Sequence, residues 1–323
     1  MTNSWQNLVP DKCDWCPLAC GANRASGEAG LCGANDKLYV ARSALHFWEE
    51  PPISGIIGGP KRDQGPGSGT IFFSNCNMKC VYCQNREISG VGNVCGKETN
   101  IDELVDMMLS LQSQGAMNIN LVTGTHYRSH LISTVRVAKQ KGLILPIIWN
   151  TSGYETLSSI YALNETVDVW LTDFKYASDD IASEFSLNKI SNYVNCAMES
   201  LDAMANICSE QKFDNFKENL RMIEGVIVRH MILPGQIQNS KDALSMLFEE
   251  FGNSIKYSIM NQYTPVIDKE SEVAKKHPEL LATVSQDDYE EVLNFADNLG
   301  IEDYYWQNGS TCSESFIPNW DLC

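Results

Sequence analysis

Gly69-Thr-Ile-Phe-Phe-Ser-Asn-Cys-Asn-Met-Lys-Cys-Val-Tyr-Cys-Gln-Asn85 is the stretch that decides how the rest of the chain is read. It begins as an apolar, strand-like run. At Ser74 it turns into a loop carrying Cys76, Cys80 and Cys83 at C-x3-C-x2-C spacing. Three thiolates can hold three irons of a cubane and leave the fourth open to a ligand, whereas electron-transfer clusters usually complete the set with a fourth cysteine. An open position separates catalytic from structural metal sites. A structural zinc site is the competing reading, but zinc usually takes four ligands and no fourth Cys or His follows closely after Cys83.

A loop dense in Gly and Pro (58–69) precedes this strand. After it, strand-like runs at 70–74, 118–123, 145–150, 167–173, 226–233 and 256–261 alternate with amphipathic helices. Ile101, Leu104, Val105 and Met108 form one apolar stripe, with Asn100 and Glu103 as a capping-box pair at its start. Leu244, Leu247, Phe248 and Phe251 form a second, and Tyr289, Val292, Leu293 and Ala296 a third. Six strand–helix units argue for a parallel sheet, either open and doubly wound or curved into a partial barrel. The expected organisation is a Cys-rich N-terminal metal-binding segment at 1–60, the α/β body at 61–300 and an irregular tail at 301–323, with Trp306 and Trp320 folded back onto the body.

Cys13, Cys16, Cys20 and Cys32 form a second set, C-x2-C-x3-C-x11-C. Four ligands close a site, so these predict structural zinc or a second iron–sulfur cluster; spacing alone does not choose between them. Cys95, Cys196, Cys208, Cys312 and Cys323 lack a partner pattern and read mostly as small buried hydrophobes, with Cys95 singled out by its place shortly after the cysteine loop. Cysteines at metal-ligand spacing, without a signal-peptide pattern at the start, predict a reducing cytoplasm. No apolar stretch is long enough to span a membrane. A net charge of −17 speaks against a sequence-independent grip on nucleic-acid backbones.

The cysteine loop resembles the signature of the radical S-adenosylmethionine (radical SAM) superfamily, CxxxCxΦC, with Tyr82 at Φ. More closely, Glu49-Glu-Pro-Pro-Ile-Ser-Gly55, Gly67 to Phe73, Cys83-Gln-Asn85, Asn118 to Thr123, Asn150-Thr-Ser-Gly-Tyr154 and Asp173-Phe-Lys-Tyr176 resemble the pyruvate formate-lyase activating-enzyme-like proteins, in the branch often called PflX. The resemblance decides the fold expectation: α/β, a (β/α)6 partial TIM barrel with a Cys-rich N-terminal extension. It implies a [4Fe–4S] cluster on Cys76, Cys80 and Cys83, with S-adenosylmethionine bound at the open iron and cleaved by one electron to methionine and a 5′-deoxyadenosyl radical. A one-electron donor such as flavodoxin or ferredoxin is implied as well.

The resemblance also nominates residues where strands end, the face on which barrel enzymes carry their chemistry. Tyr82 lies within the cluster loop. Gly124 and Thr125, in Thr123-Gly-Thr-His126, stand where many relatives have a Gly-Gly-Glu stretch for the amino group of S-adenosylmethionine; this sequence lacks the acid, and His126 follows as a contact or proton donor. Asn150 and Thr151 match an Asp-Thr-Asn-Gly-like stretch with Asn in place of the acid. Asp173 and Lys175 match an Asp-x-Lys pair near the cofactor carboxylate. Arg229, in Arg229-His-Met-Ile-Leu-Pro-Gly235, is expected inside the barrel beside a carboxylate, and His230, one residue out of phase, is read as structural. Tyr263 is a further candidate on the adenine side. The function implied is hydrogen abstraction from a protein or peptide, with activation of a glycyl-radical enzyme as one form of it. The alternatives are a radical SAM enzyme acting on a small molecule, or a non-catalytic iron–sulfur or zinc protein.

Overall fold

The computed structural model describes residues 8–55, 65–90 and 95–307. Its strands are β1 (Tyr39–His46), β2 (Ser68–Phe73), β3 (Lys97–Glu98), β4 (Ile119–Val122), β5 (Ile147–Thr151), β6 (Val169–Asp173), β7 (Lys212–Phe216), β8 (Asn219–Met231), β9 (Lys256–Met260) and β10 (Tyr305–Trp306). They form one sheet in the order β10-β9-β8-β6-β5-β4-β2-β1-β3, with β7 folded onto β8 as a hairpin. β2, β4, β5, β6, β8 and β9 are the six parallel strands expected from the sequence, paired in that order. This is the partial barrel: β2 does not pair with β9, and the sheet stays open.

Period-two alternation sorts the strand residues into two layers. Ile147, Trp149, Trp170, Val226, Val228, Tyr257 and Ile259 face the helices and join the main core. Ile148, Val169, Leu171 and Ile227 face the other way and form a separate apolar cluster in the lower barrel. Ile53, from the short helix Pro51–Ser54, and Met222 fill this cluster from beneath. Asn118 donates to the Ile53 carbonyl at 2.7 Å and fixes that helix as a floor.

The helical stripes lie where the apolar spacing put them. Helix Ile101–Ser113 carries the predicted capping box, with Glu103 N to Asn100 Oδ1 at 3.0 Å and Asn100 N to Glu103 Oε2 at 2.9 Å. Helices Ile237–Phe251 and Gln286–Leu299 bury the other two stripes, and Gly300 ends the latter in the left-handed conformation. Two findings add to the sequence reading. The segment before residue 60 contributes β1, antiparallel to β2, so the sheet begins inside the Cys-rich region. Tyr305–Trp306 is a short parallel strand on β9 rather than irregular chain, and the Trp306 side chain is exposed. Trp320 lies outside the described residues. Among the described residues, no helix is long and apolar enough to cross a membrane.

Candidate functional site

The cysteine loop leaves β2 at Ser74, and the surrounding fold holds it on several sides. Ser74 N donates to Tyr39 O at 3.0 Å and Asn75 N to Ile88 O at 2.6 Å. Asn75 and Lys79 adopt positive φ (78° and 50°), which bends the loop back on itself. Val81 N donates to Phe185 O and Leu187 N to Lys79 O, around a bridge between Cys80 and Ser186. Asn77 Nδ2 donates to Tyr154 O at 2.9 Å, and Asn188 Nδ2 donates to Asn77 O at 2.6 Å.

Among the described residues, no three His, Cys, Asp or Glu side chains are drawn together tightly enough to hold an ion by themselves. The donor set nevertheless fits a cluster that takes three thiolates from one loop. Burial pushes the Cys76 thiol up to about 12 and Cys83 to about 11, and the charge of Cys80 adds to both. Thiolate charge here therefore calls for a cation to bind it. The Met78 amide points at Cys76 Sγ from 3.4 Å.

Beside the loop lies a cavity of about 210 Å³, lined among others by Cys80, Tyr82, Cys83, Asn150, Asp173, Lys175 and Arg229. Here the inward-facing positions turn from apolar to charged. Asp173 and Arg229 are register partners on β6 and β8. Arg229 Nε donates to Asp173 Oδ1 at 3.0 Å, Nη1 to Glu49 Oε2 at 3.0 Å and Nη2 to Asn150 Oδ1 at 2.6 Å. Lys175 Nζ reaches Asp173 Oδ2 at 2.5 Å. Burial alone would raise the Asp173 pKa, but Lys175 and then Arg229 outweigh it and hold the carboxyl below its ordinary value. Burial would likewise lower Lys175, and Asp173 outweighs it. Glu49 goes the other way: desolvation prevails over Arg229 and raises it. The array therefore keeps Asp173, Lys175 and Arg229 charged in a largely buried site.

The structure does not bring Gly124, Thr125 or Thr151 to this cavity. A Cβ on Gly124 would meet Leu131 and Trp149 within 3 Å, so this glycine allows close packing. The Thr125 and Thr151 hydroxyls both donate to Glu155 Oε1 at 2.6 Å, and Trp149 Nε1 adds a third donor at 3.2 Å. Glu155 was not singled out in the sequence; it is buried and ties the ends of β4 and β5 together. His126 is also turned inward, with Nε2 on Ser74 O at 2.8 Å. Tyr263 donates to Leu280 O and packs edge-on against Tyr82. His230 is structural, held by Phe174 O at 2.7 Å and Ser240 Oγ at 2.9 Å. Glu49 was quoted only as part of a motif. Its partner lies 180 positions away, a pairing that no local pattern signals.

The amino-terminal cysteines occupy a compact knuckle in which Cys13 N donates to Ala22 O and Gly21 N to Cys13 O. A Cβ on Gly30 would sit 3.2 Å from Cys20 Sγ and 3.5 Å from Cys32 Sγ, so both sulfurs flank the Gly30 backbone. Burial raises the Cys16 and Cys32 thiols, and the charge of Cys32 adds to Cys16 as those of Cys13 and Cys20 add to Cys32. The knuckle abuts the cluster loop, since a Cβ on Gly33 would collide with Asn75 Oδ1 at 2.4 Å. Arg24, fully buried, donates to His126 O at 2.7 Å. Against the expectation that it has no partner, Cys95 is disulfide-bonded, a pairing no local spacing signals; Cys196 and Cys208 are free thiols, as expected. Cys312 and Cys323 lie outside the described residues.

An uncharacterized protein of Methanocaldococcus jannaschii is 27% identical over 301 residues, 91% of this chain and 76% of that protein. A pyruvate formate-lyase-activating enzyme of Clostridium pasteurianum is 29% identical over 122 residues, 36% of this chain and 49% of that enzyme. Among solved structures, a radical SAM methyltransferase from Sphaerobacter thermophilus superposes with a TM-score of 0.52 at 13% identity, over 84% of this chain and 78% of that one. It shares the fold. The profile of the radical SAM superfamily matches residues 70–247, from β2 through the strand ends that bear Asp173 and Arg229, and by that match over more than half its length the chain belongs to this superfamily.

Proposed function

We propose that this chain is a radical SAM enzyme acting on a protein or peptide, with installation of a glycyl radical on a partner enzyme as the specific form. The observation that carries the reading is the shared cavity: cluster-loop residues Cys80, Tyr82 and Cys83 line the same space as Asp173, Lys175, Arg229 and Asn150. Cys76, Cys80 and Cys83 would hold a [4Fe–4S] cluster, which when bound supplies the electron that cleaves S-adenosylmethionine to the 5′-deoxyadenosyl radical. Lys175 offers the cofactor carboxylate a charge-assisted donor. Asp173 holds Lys175 and Arg229 in place, and Tyr82 forms an apolar wall. The apolar floor of Ile53, Ile148, Leu171 and Ile227 shuts water out from below.

The partial likeness to an activating enzyme supports the choice of a protein substrate. The electron donor in this reading is a flavodoxin or ferredoxin, and the compartment is the cytoplasm. Cys13, Cys16, Cys20 and Cys32 form a second metal site, zinc or iron–sulfur, in the segment that precedes β1.

The test is anaerobic reconstitution with iron and sulfide, followed by reduction in the presence of S-adenosylmethionine. The protein is expected to form 5′-deoxyadenosine, and a variant with Cys76, Cys80 and Cys83 all replaced by alanine is expected to form none. Equal yields from both would overturn the reading.

A further inference from the structure

Tyr176 lies outside the cavity yet touches the cluster loop. Its ring is fully buried at the end of β6, between Phe185 and Tyr193. Its hydroxyl lies 3.9 Å from Cys80 Sγ, placed to donate to it, and 2.7 Å from the Tyr82 hydroxyl. Tyr176 has one proton to give. With that proton directed at the sulfur, the Tyr82 hydroxyl donates to the Tyr176 oxygen, forming a two-step relay from the cavity wall to Cys80. Both rings are held by aromatic neighbours, Tyr82 by Phe185 and Tyr263. Cys80 is also fixed through its backbone by the bridge to Ser186. The arrangement is therefore preorganised, with no water needed to complete it.

Hydrogen bonds to the cysteine sulfurs are one of the determinants of an iron–sulfur potential. Reduction adds negative charge that is partly carried on the sulfurs, so a donor stabilises the reduced form more than the oxidised one. From this contact we infer that Tyr176, backed by Tyr82, is a positioning residue that raises the reduction potential of the cluster held by Cys80. Chains of hydrogen bonds polarise one another, so the outer hydroxyl strengthens the inner donor. The inference rests on Cys76, Cys80 and Cys83 being the cluster ligands, as proposed above.

The experiment is a redox titration of the reconstituted full-length protein, followed by the EPR signal of the reduced cluster, with iron content measured in parallel. Tyr176→Phe keeps the ring and removes the donor. It is expected to keep its cluster and to titrate at a more negative midpoint than the parent. Tyr82→Phe is expected to shift in the same direction by a smaller amount, and it decides the matter if Tyr176→Phe does not fold. An unchanged or more positive midpoint in the folded Tyr176→Phe protein overturns the inference while leaving the cluster assignment standing. Failure of the parent to take up a cluster overturns both.

Discussion

The two cysteine-bearing segments differ in how much of their shape is local. Cys76, Cys80 and Cys83 sit on one loop that hangs between strands and borrows its shape from the barrel, from β1, the 185–188 segment and Tyr154 O. Cys13, Cys16, Cys20 and Cys32 lie in a segment with local backbone turns of its own, which is pinned to the barrel by Arg24 on His126 O and by Ser159 on Trp15 O. The first set opens onto a cavity with fixed charges; the second packs its small core of Val9, Trp15 and Ala22 around itself. A loop with few contacts of its own takes its shape from its neighbours, whereas a segment with turns and a small core of its own depends on them less.

The sharpest way to break this contrast is to delete each set in turn. Replacing Cys76, Cys80 and Cys83 is expected to end 5′-deoxyadenosine formation, whereas replacing Cys13, Cys16, Cys20 and Cys32 by serine is expected to lower the melting temperature and release any metal held there while the first cluster still assembles. Loss of the first cluster in the serine variant would show that the two segments are one unit.

A smaller effect separates the charged cavity from both cysteine sets. Lys175→Ala should weaken S-adenosylmethionine binding by at least about tenfold, since a lost charge-assisted contact costs roughly 1.5–3 kcal/mol. It leaves Asp173 still paired with Arg229. Asp173→Ala is the less clean probe, because it strips two buried cations of a partner, and breaking such a pair costs about 3–5 kcal/mol of stability. Calorimetric titration of the reconstituted Lys175→Ala protein, with iron content as control, checks the point; parent-like affinity would reduce Lys175 to a structural ion.

The smallest effect concerns the joint between the two segments. His126 carries Arg24 on its carbonyl and reaches Ser74 O with its ring. Burial, despite the Ser74 bond and aided by Arg24, depresses its pKa to about 3. Below pH 6.5 the unfolded chain takes up a proton that the folded chain refuses, so stability falls with acidification through this window. For this one group the loss is roughly 1–2 kcal/mol between pH 7 and pH 5. Denaturant titrations at both pH values should show His126→Gln losing less than the parent on acidification; equal losses would place the pH dependence in the other buried histidines.

Much of the barrel was legible because parallel strands covered on both sides are nearly continuous apolar runs and helices carry stripes. The β7–β8 hairpin was not. Its two-residue turn places Lys217 and Glu218 at positive φ (47° and 66°), where the usual signal is Asn or Gly, so the sequence carried no mark of it. β1 was missed for a related reason: most of its residues are half-buried, and they do not alternate. Asp173, Lys175 and Arg229 were nominated by the resemblance together with the charges that follow the apolar runs of β6 and β8, and they line one cavity. Thr125 and Thr151 were sited by analogy, and their hydroxyls instead serve Glu155, a carboxylate whose partners come together only when β4 and β5 pair.

The short helix at Pro51–Ser54 has a consequence for how this barrel can be divided. Ile53 closes the base, and Glu49, four residues earlier, accepts a hydrogen bond from Arg229 from within. A fragment cut to residues 70–247 would keep the cluster loop, Asp173 and Lys175, yet lose Ile53 from the floor, Glu49 from Arg229 and the whole of β9. Water would then reach a guanidinium that now rests on Asp173 and Asn150 with Glu49 beside it. The catalytic core recognisable by sequence is therefore not self-sufficient, and transplanting it into another protein would require carrying the preceding segment along.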